Sequence, residues 1–402
     1  MKRWGYGWVL LVCGACVARV DAHSGVAIRD SAGIRIVEHL EPAGAGKEWR
    51  IGERPLLDIG GAAQRGGPAL YRVAGVLRLA NGRIVVANGG SSSIEIFAPD
   101  GAHLRSVGRA GDGPGEFRAL SWAGSLEGDT LAAWDSGAAR LSLFTAQGEL
   151  ITTVAPRQPL GMYPEAVGIL DGNLVLALHR STLGASSTAS VHVERDSVRY
   201  AVLARDGSVR ILSTLPGTEM LMSGNPAGGL MVMPLPFGLQ AISTLTRDRL
   251  YLADGERFEI SAFDSRALRS RLRSDRPREP VRPEDVHDYA SSLVTLGAEG
   301  NARLQRQQAQ LLAQAPYPKR KPAITALLGD SEGNLWVESP ISGPGRNPTR
   351  WQVFSREGHR IGSTRIPLPL NLRQAGPNWV LITTLDSDQA EHVQLYPLTR
   401  VP

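Results

Sequence analysis

Six short apolar segments recur along the chain, and the residues at their ends are the first candidates for chemistry. The end residues are Asn88, Asp135, Leu178 with His179 beside it, Asp254, Ser339 and Thr384. Calcium prefers carboxylate and amide oxygens, in sets of six or more. Asn88, Asp135 and Asp254 together would therefore serve a hydrolase that depends on a divalent cation. The structural alternative is that each side chain accepts hydrogen bonds from backbone amides of its own turn.

A zinc site would need several histidines, because each ligand must lie within about 2 Å of one shared ion. The chain has His23, His39, His103, His179, His192, His287, His359 and His392. Only His179 lies at the end of one of the six apolar segments, whereas His103 and His359 follow turns at the periphery of repeated units. A three-histidine zinc site is therefore not predicted. The sequence also contains no G-x-S-x-G or H-E-x-x-H motif.

A glycine-rich run, GRAGDGPGEF at 108–117, shares only its glycine content with phosphate-binding loops. It lacks the Lys-Ser/Thr pair of such loops, and no helical pattern follows it. We therefore predict a tight corner between repeated units, with Phe117 packed between them. Arg109 and Glu116 within this run are candidates for ligand contact. The alternative is that they pair with charges across adjacent units.

These candidates belong to a repeat of two strand types. The first type comprises the six apolar segments, and the second alternates along its length up to a large residue, as in IEIFAPDG and LSLFTAQG. The large residues are Phe97, Phe144, Leu203, Phe263, Phe354 and Tyr396, at separations of 47, 59, 60, 91 and 42. Asp-Gly, Gln-Gly and Glu-Gly pairs after several of these strands predict hairpin turns, because glycine tolerates positive φ.

Small sheets built from such strands cannot cover their own apolar faces, so the repeat predicts radial stacking. The predicted fold class is all-β, a single six-bladed β-propeller over residues 23–402. The last unit contains few strands, whereas residues 32–40 and 55–60 are strand-like and otherwise unassigned. We expect one or both of these segments to complete the last blade, so that N- and C-terminal strands close the ring in one sheet.

The segment GRIVVANGGSSSIEIFAPDGAHLRSVGRAGDGPGEF at 82–117 resembles the NHL repeat. It has the hairpin that ends in Ala-Asn, the Ile-x-x-Phe strand, the Asp-Gly turn and the glycine run with Pro114 and Phe117. The chain is similar to poorly characterised exported bacterial six-bladed propellers of NHL type. Relatives in the wider superfold include metal-dependent lactonases, a zinc lyase and binding scaffolds. The resemblance therefore implies a fold rather than a reaction.

The pattern changes between residues 281 and 322, where Gln, Ala and Leu predominate. Pro283, followed by two acidic residues, marks a helix start, and leucines at helical spacing follow. We predict two helices with a break near Gly297, inserted between blades four and five. They form either a lid or docking face over the central pocket, or a structural cap on one rim.

The first 22 residues have the features of an export signal. Lys2 and Arg3 precede a short apolar run, and residues 20–22 offer small side chains for cleavage. The protein is therefore predicted to be extracytoplasmic, periplasmic or secreted. Cys13 and Cys16 lie in this leader, so the mature chain would lack thiols. The alternative is a lipoprotein leader cut before Cys16, whose lipid would tether the chain to a membrane.

Charge and composition argue against one class of partner. The chain of 402 residues has 44 basic and 39 acidic side chains, a net charge of +5, and no dense basic face. This distribution, together with export, argues against nucleic-acid binding. No apolar run is long enough to span a membrane in the mature chain.

We therefore expect a monomeric binding scaffold without a cofactor, which recognises a peptide, glycan or protein at the mouth of its central channel. The candidate ligand-binding residues are Asn88, Asp135, His179, Asp254, Arg109 and Glu116. The alternative is a calcium-dependent hydrolase or lactonase that uses Asn88, Asp135 and Asp254.

Overall fold

The computed structural model shows a chain made mostly of β-strands. It describes residues 18–21, 25–40, 47–61, 64, 66–126, 129–161, 163–179, 190–224, 230–296, 302–340, 349–367 and 370–400. Cys13, Cys16, the predicted cleavage site at Ala22 and the predicted helix break at Gly297 lie outside the described residues.

The strands of the described residues form six sheets, which we number 1 to 6 along the chain. The N-terminal strands are β1 (Ala18–Asp21), β2 (Val26–Ser31), β3 (Ile34–His39), β4 (Trp49–Ile51) and β5 (Leu57–Gly60). Sheet 1 contains β6 (Val73–Arg78), β7 (Ile84–Asn88), β8 (Ser93–Phe97) and β9 (His103–Val107). Sheet 2 contains β10 (Leu120–Ser125), β11 (Leu131–Asp135), β12 (Arg140–Phe144) and β13 (Leu150–Val154).

The remaining four sheets follow in the same order. Sheet 3 contains β14 (Tyr163–Leu170), β15 (Asn173–His179), β16 (His192–Leu203), β17 (Val209–Gly224) and β18 (Leu230–Pro234). Sheet 4 contains β19 (Ile242–Leu245), β20 (Leu250–Ala253), β21 (Phe258–Phe263) and β22 (Leu268–Ser274), and helices α1 (Pro283–Leu296) and α2 (Ala302–Ala313) follow it. Sheet 5 contains β23 (Ala326–Gly329), β24 (Leu335–Ser339), β25 (Thr349–Phe354) and β26 (Arg360–Ile366). Sheet 6 contains β27 (Asn371–Ala375), β28 (Trp379–Leu385) and β29 (Glu391–Arg400).

The first strand of each sheet contacts the first strand of the next sheet. In order, β6 contacts β10, β10 contacts β14, β14 contacts β19, β19 contacts β23, β23 contacts β27, and β27 contacts β6. We call these six the inner strands, because their mutual contacts place them around a common centre. The result is a propeller-like all-β fold, in which the later strands of each sheet lie farther out.

Hairpin turns lie where the glycine pairs predict them. Gly101, Gly148, Gly207 and Gly358 have φ values of 86°, 84°, 82° and 89°. Gly358 also lies against sheet 4, since a Cβ at this position would meet Val37 at 3.2 Å. A side chain at Gly358 would therefore be strained by the backbone and crowded by its neighbour.

Adjacent sheets bury apolar side chains at a junction that we call a seam. In the seam between sheets 1 and 2, Phe117 is fully buried and packs on Phe144, with ring centroids 6.2 Å apart. In the seam between sheets 4 and 5, His39 packs edge-on against Phe354 at 5.4 Å. In the sequence, the two helices lie between sheets 4 and 5. The ring that packs in the seam between these sheets, His39, comes from strand β3.

The two N-terminal segments join different sheets. Strand β5 pairs with β29, with Leu57 opposite Leu395, and β4 pairs with the same strand. Residues 32–40 instead contain β3, which pairs in parallel with β22 and extends sheet 4. Of the two segments expected to complete the last sheet, therefore, only residues 55–60 do so. Strand β1, at the end of the predicted leader, pairs with β2.

Both helices lie within the predicted range 281–322. Leu311 and Leu312 of α2 are buried against Leu221 of β17 and Leu235, at the part of sheet 3 that extends beyond β15. The helices therefore pack on the rim of sheet 3. Among the described residues, no helix has the length and apolar character needed to cross a membrane.

Candidate functional site

The strand-end residues that the sequence singled out lie at the same end of their sheets. In sheets 1, 2 and 3 the inner strand begins opposite the end of the second strand, pairing Val73 with Asn88, Leu120 with Asp135, and Tyr163 with His179. In a propeller-like fold these strand ends converge at one mouth of the channel. The strand-end side chains therefore lie next to the loops that lead into the inner strands.

Asn88 holds the loop that precedes β6. It is fully buried. Its Oδ1 accepts a hydrogen bond from the backbone N–H of Tyr71 at 3.0 Å, and its Nδ2 donates to the carbonyl of Ala69 at 2.9 Å. Tyr71 itself is 65% exposed. Asn88 thus positions an exposed aromatic ring and does not itself face the channel.

Asp135 plays the same part in sheet 2. Its carboxylate is fully buried and accepts backbone N–H bonds from Arg118, Ala119, Gly137 and Ala138 at 2.9 to 3.1 Å. Arg140 Nε lies 3.7 Å from Oδ2. These contacts stabilise the turn and leave the carboxylate oriented towards backbone donors rather than towards a ligand.

Asp254 is half-buried and also bonds within its own turn. Its Oδ1 accepts from the backbone N–H of Glu256 at 3.0 Å. Asn88, Asp135 and Asp254 lie in three different sheets, and each bonds to its own turn or loop. Among the described residues, no group of three or more His, Cys, Asp or Glu side chains is arranged to hold a metal ion. The geometry therefore gives the calcium alternative no support.

His179 lies beside the carboxylate of Glu165. Its Nε2 is 3.2 Å from Oε2 of Glu165 on inner strand β14, and the Glu165 side chain is 74% exposed. The hydrogen bond with His179 lowers the pKa of Glu165, and desolvation opposes this shift. Glu165 is therefore ionised at neutral pH while it remains accessible to solvent.

Arg109 and Glu116 pair with each other inside the glycine-rich run. Arg109 Nε donates to Glu116 Oε1 at 2.8 Å, and the backbone N–H of Gly113 donates to Oε2 at 2.8 Å. These two contacts, with Gly113 the stronger, lower the pKa of Glu116. Arg109 and Glu116 therefore pair within one loop and not with charges of an adjacent sheet. The pair closes the corner, although the Arg109 side chain remains 81% exposed.

Sequence reasoning missed the side chains that the inner strands expose. The exposed residues of the described inner strands are Ser125, Tyr163, Glu165, Asn371 and Arg373. Tyr163 is 61% exposed. Inner strands are flanked by their own sheets and by one another, so exposed side chains there reach the water of the channel or of its mouths.

Arg373 lies at a β-bulge of inner strand β27. The pairing of β27 with β28 shifts register between Leu372 and Gln374, and such a bulge re-aims the extra side chain. Arg373 Nε donates to Thr383 Oγ1 at 2.8 Å. Desolvation lowers the pKa of Arg373, and Glu391 opposes this effect. The Arg373 side chain is thus exposed in part, while neighbouring protein atoms desolvate its charge.

A comparison of the inner strands shows what distinguishes Arg373. Register shifts in β6, β10 and β14 isolate Ala74, Ser121 and Val167 at similar bulges. Arginine thus replaces the small or apolar residue of three other inner strands. Recognising it would have required the position of each bulge, which the strand pairing decides.

Glu165 and Arg373 lie on opposite walls. The contacts of the inner strands place sheets 4 and 5 between sheets 3 and 6 in one direction, and sheets 1 and 2 between them in the other. The exposed Glu165 and Tyr163 therefore lie on the inner strand of one sheet, and the exposed Arg373 lies on the inner strand of the opposite sheet. A ligand with an aromatic or apolar body and separated charges would match this arrangement.

No known family profile matches the chain, and no curated protein matches its sequence. Solved structures are similar in fold. One is a DUF4221-family protein from Bacteroides vulgatus, with a TM-score of 0.51 at 12% identity over 89% of this chain and 100% of that chain. A candidate exported protein from Bacteroides fragilis has a TM-score of 0.48 at 13% identity over 91% and 100%. Virginiamycin B lyase from Staphylococcus aureus has a TM-score of 0.40 at 10% identity over 88% and 100%. At these identities the likeness concerns the fold alone.

Proposed function

We propose that the chain is an exported six-bladed propeller that binds a peptide, glycan or protein segment at the mouth of its central channel, with no reaction assigned to it. The six sheets, each with an inner strand in contact with the next, support the blade number. The pairing of β5 with β29 supports closure by strands from both ends of the sequence. Closure of this kind resists opening of the ring, because opening would break a strand ladder.

The observation that carries the proposal is the set of accessible side chains at the mouth. Tyr71 and Tyr163 are 65% and 61% exposed, although large aromatic rings gain by burial. Tyrosine combines a wide apolar surface with one hydroxyl, and it is enriched at binding interfaces. The buried Asn88 accepts a hydrogen bond from the backbone N–H of Tyr71, so the main chain that carries this ring is held in place before any ligand arrives.

Charged side chains at the proposed mouth would orient a bound ligand. Glu165 and Arg373 are ionised groups on opposite walls, and both are accessible to solvent. A partly enclosed charge attracts a ligand of opposite charge more strongly than a charge on an open surface does. The proposed ligand therefore carries an anionic group near Arg373 and contacts the tyrosines through its body.

The test uses glycan and peptide arrays with the purified protein, followed by titration of each hit. Tyr163→Ala and Arg373→Gln should each weaken binding of a hit by about tenfold or more. Ile211→Ala is the matched control, because Ile211 is 44% exposed on β17, away from the mouth. Equal weakening by all three substitutions, or no effect of the first two, would refute the site.

We also propose that residues 1–22 are an export leader and that the mature chain is a monomer, with lipidation at Cys16 as the alternative to plain cleavage. Mass spectrometry of the mature N-terminus separates these outcomes. A terminus at His23 supports the plain leader, whereas a diacylglyceryl cysteine at position 16 supports the tether. Light scattering of the purified protein tests the monomer.

A further inference from the structure

The seam between sheets 4 and 5 contains a group of arginines apart from the channel mouth. On β25, Arg350, Gln352 and Phe354 share the face towards sheet 4, where Phe354 packs on Phe258 at 6.0 Å. Arg276 follows β22 and donates from Nη1 to Gln352 Oε1 at 3.0 Å. A guanidinium from sheet 4 is thus fixed against the side of sheet 5.

Three guanidinium groups interact at this place. Burial lowers the pKa of Arg276, and the positive charge of Arg350 lowers it further. Burial likewise lowers the pKa of Arg360, at the start of β26, followed by the charges of Arg276 and Arg350. Arginine keeps its charge at neutral pH. The seam therefore holds three mutually repelling cations, two of them half-buried.

Gln352 offers a further donor. Its side chain is 1% exposed, and Nε2 has no hydrogen-bond acceptor among the described residues. No described carboxylate forms an ion pair with Arg276 or Arg350. A buried amide N–H without an acceptor is uncommon in folded proteins. Here the amide Nε2 of Gln352 lies beside the guanidinium of Arg276, which donates a hydrogen bond to Oε1 of the same amide.

The same arginines affect the pKa of His39. Its Nε2 donates to the carbonyl of Gly358 at 2.9 Å. Burial lowers the pKa of His39; the bond to Gly358 opposes this, and the nearby Arg360, Arg276 and His359 lower it again. The charged groups that shift the pKa of this ring are thus basic side chains. An anion that binds in the seam should therefore raise the pKa of His39.

We propose that Arg276, Arg350 and the Gln352 amide, with Arg360 beside them, bind a tetrahedral oxyanion group, phosphate or sulfate. Such a group has several acceptor oxygens, which suits guanidinium donors that point in different directions. Its charge removes the mutual repulsion of the arginines, and one oxygen accepts from Gln352 Nε2. Arg350 is exposed, so the anion has a route from solvent.

The test titrates inorganic phosphate and inorganic sulfate into the full mature chain by calorimetry, at low ionic strength. Sodium chloride at matched ionic strength controls for screening. Phosphate or sulfate should raise the unfolding temperature, whereas chloride should not. Arg276→Gln and Gln352→Leu should each weaken binding by about tenfold or more. Glycerol phosphate in a parallel arm shows whether the group is recognised as a free ion or as an ester.

Arg266→Gln is the matched control, because it removes one exposed arginine from a turn of sheet 4. It should bind phosphate as the wild-type chain does. The ring proton resonances of His39, assigned with His39→Asn, supply a second readout, since a bound anion should raise the pKa of this histidine. Equal phosphate affinity in wild type and in the Arg276→Gln/Arg350→Gln double variant would overturn the proposal. So would an unchanged His39 titration at saturating phosphate.

Discussion

His392 on β29 and Asp58 on β5 form an ion pair, with 2.7 Å between Nδ1 and Oδ1, across 334 positions of sequence. Asp386 lies 3.2 Å from the other ring nitrogen. Gln394 Nε2 also donates to Asp58, at 2.8 Å. These contacts join strands from opposite ends of the sequence by side chains as well as by the ladder.

The pair predicts a stability that declines as pH rises. Burial alone would lower the pKa of His392, but hydrogen bonds to Asp58 and Asp386 outweigh it and raise the pKa. The folded chain therefore binds this proton more tightly than the unfolded chain, and the gain is present below the unfolded pKa and lost above the folded one. His392→Asn should lower the free energy of unfolding by about 1–3 kcal/mol at acidic pH and by less at alkaline pH. Urea unfolding across pH checks this, and a difference that does not change with pH would contradict it.

His39 predicts the opposite dependence. Burial lowers its pKa, so the unfolded chain binds the proton more tightly and stability falls as pH drops through the unfolded value, about 6.5. His39→Phe keeps a ring against Phe354 and removes the titrating group. The variant should lose less stability than the wild type between about pH 7 and pH 5. Denaturation in phosphate-free buffers measures this, and parallel pH profiles would show that His39 does not contribute.

The carboxylate of Asp135 predicts a structural cost and no metal dependence. Asp135→Ala removes four backbone hydrogen bonds at a fully buried site and should lower the free energy of unfolding by about 2–4 kcal/mol. Asp254→Ala removes one bond at a half-buried site and should cost about 0.5–1.5 kcal/mol. Chelation of calcium should leave the wild-type unfolding temperature unchanged. If a chelator lowers the unfolding temperature of the wild type but not that of Asp135→Ala or Asp254→Ala, the calcium alternative is supported instead.

Phe117 predicts the importance of seam packing. The ring is fully buried against Phe144, and Phe117→Ala should cost about 3–5 kcal/mol because a cavity remains. Leu104→Ala, at a residue 46% exposed on β9, should change stability by less than about 0.5 kcal/mol. Thermal unfolding of both variants measures the difference. Similar losses of unfolding free energy in the two variants would mean that the seam tolerates the cavity.

Much of the fold could be predicted because it depends on local patterns. The segments IEIF and WQVF became strands as their alternation predicts, and both faces of each are buried in the structure. The Asp-Gly turn at Gly101 adopts positive φ as expected. Pro283 begins α1, because its fixed φ suits the first helical position.

The side-chain contacts of the candidate site were harder to predict, and the reason is the same in each case. Asn88 and Asp135 were selected by residue type, but their oxygens bond to the backbone of loops that precede β6 and β10. Arg373 was overlooked, because its exposure follows from a bulge in the pairing with β28. Residue type limits which bonds a side chain can form, whereas the neighbouring strand decides which of them it does form.

The sequence by itself determined the strand period, the glycine turns and the position of the helices, because these depend on residues close together in the chain. Only the tertiary structure decided that Ile34–His39 joins sheet 4, that Asp58 meets His392, and that Arg276 meets Gln352. Contacts across such sequence distances form when apolar faces of separate sheets come together to exclude water. The alternation of side chains then fixes which polar groups are carried into each seam.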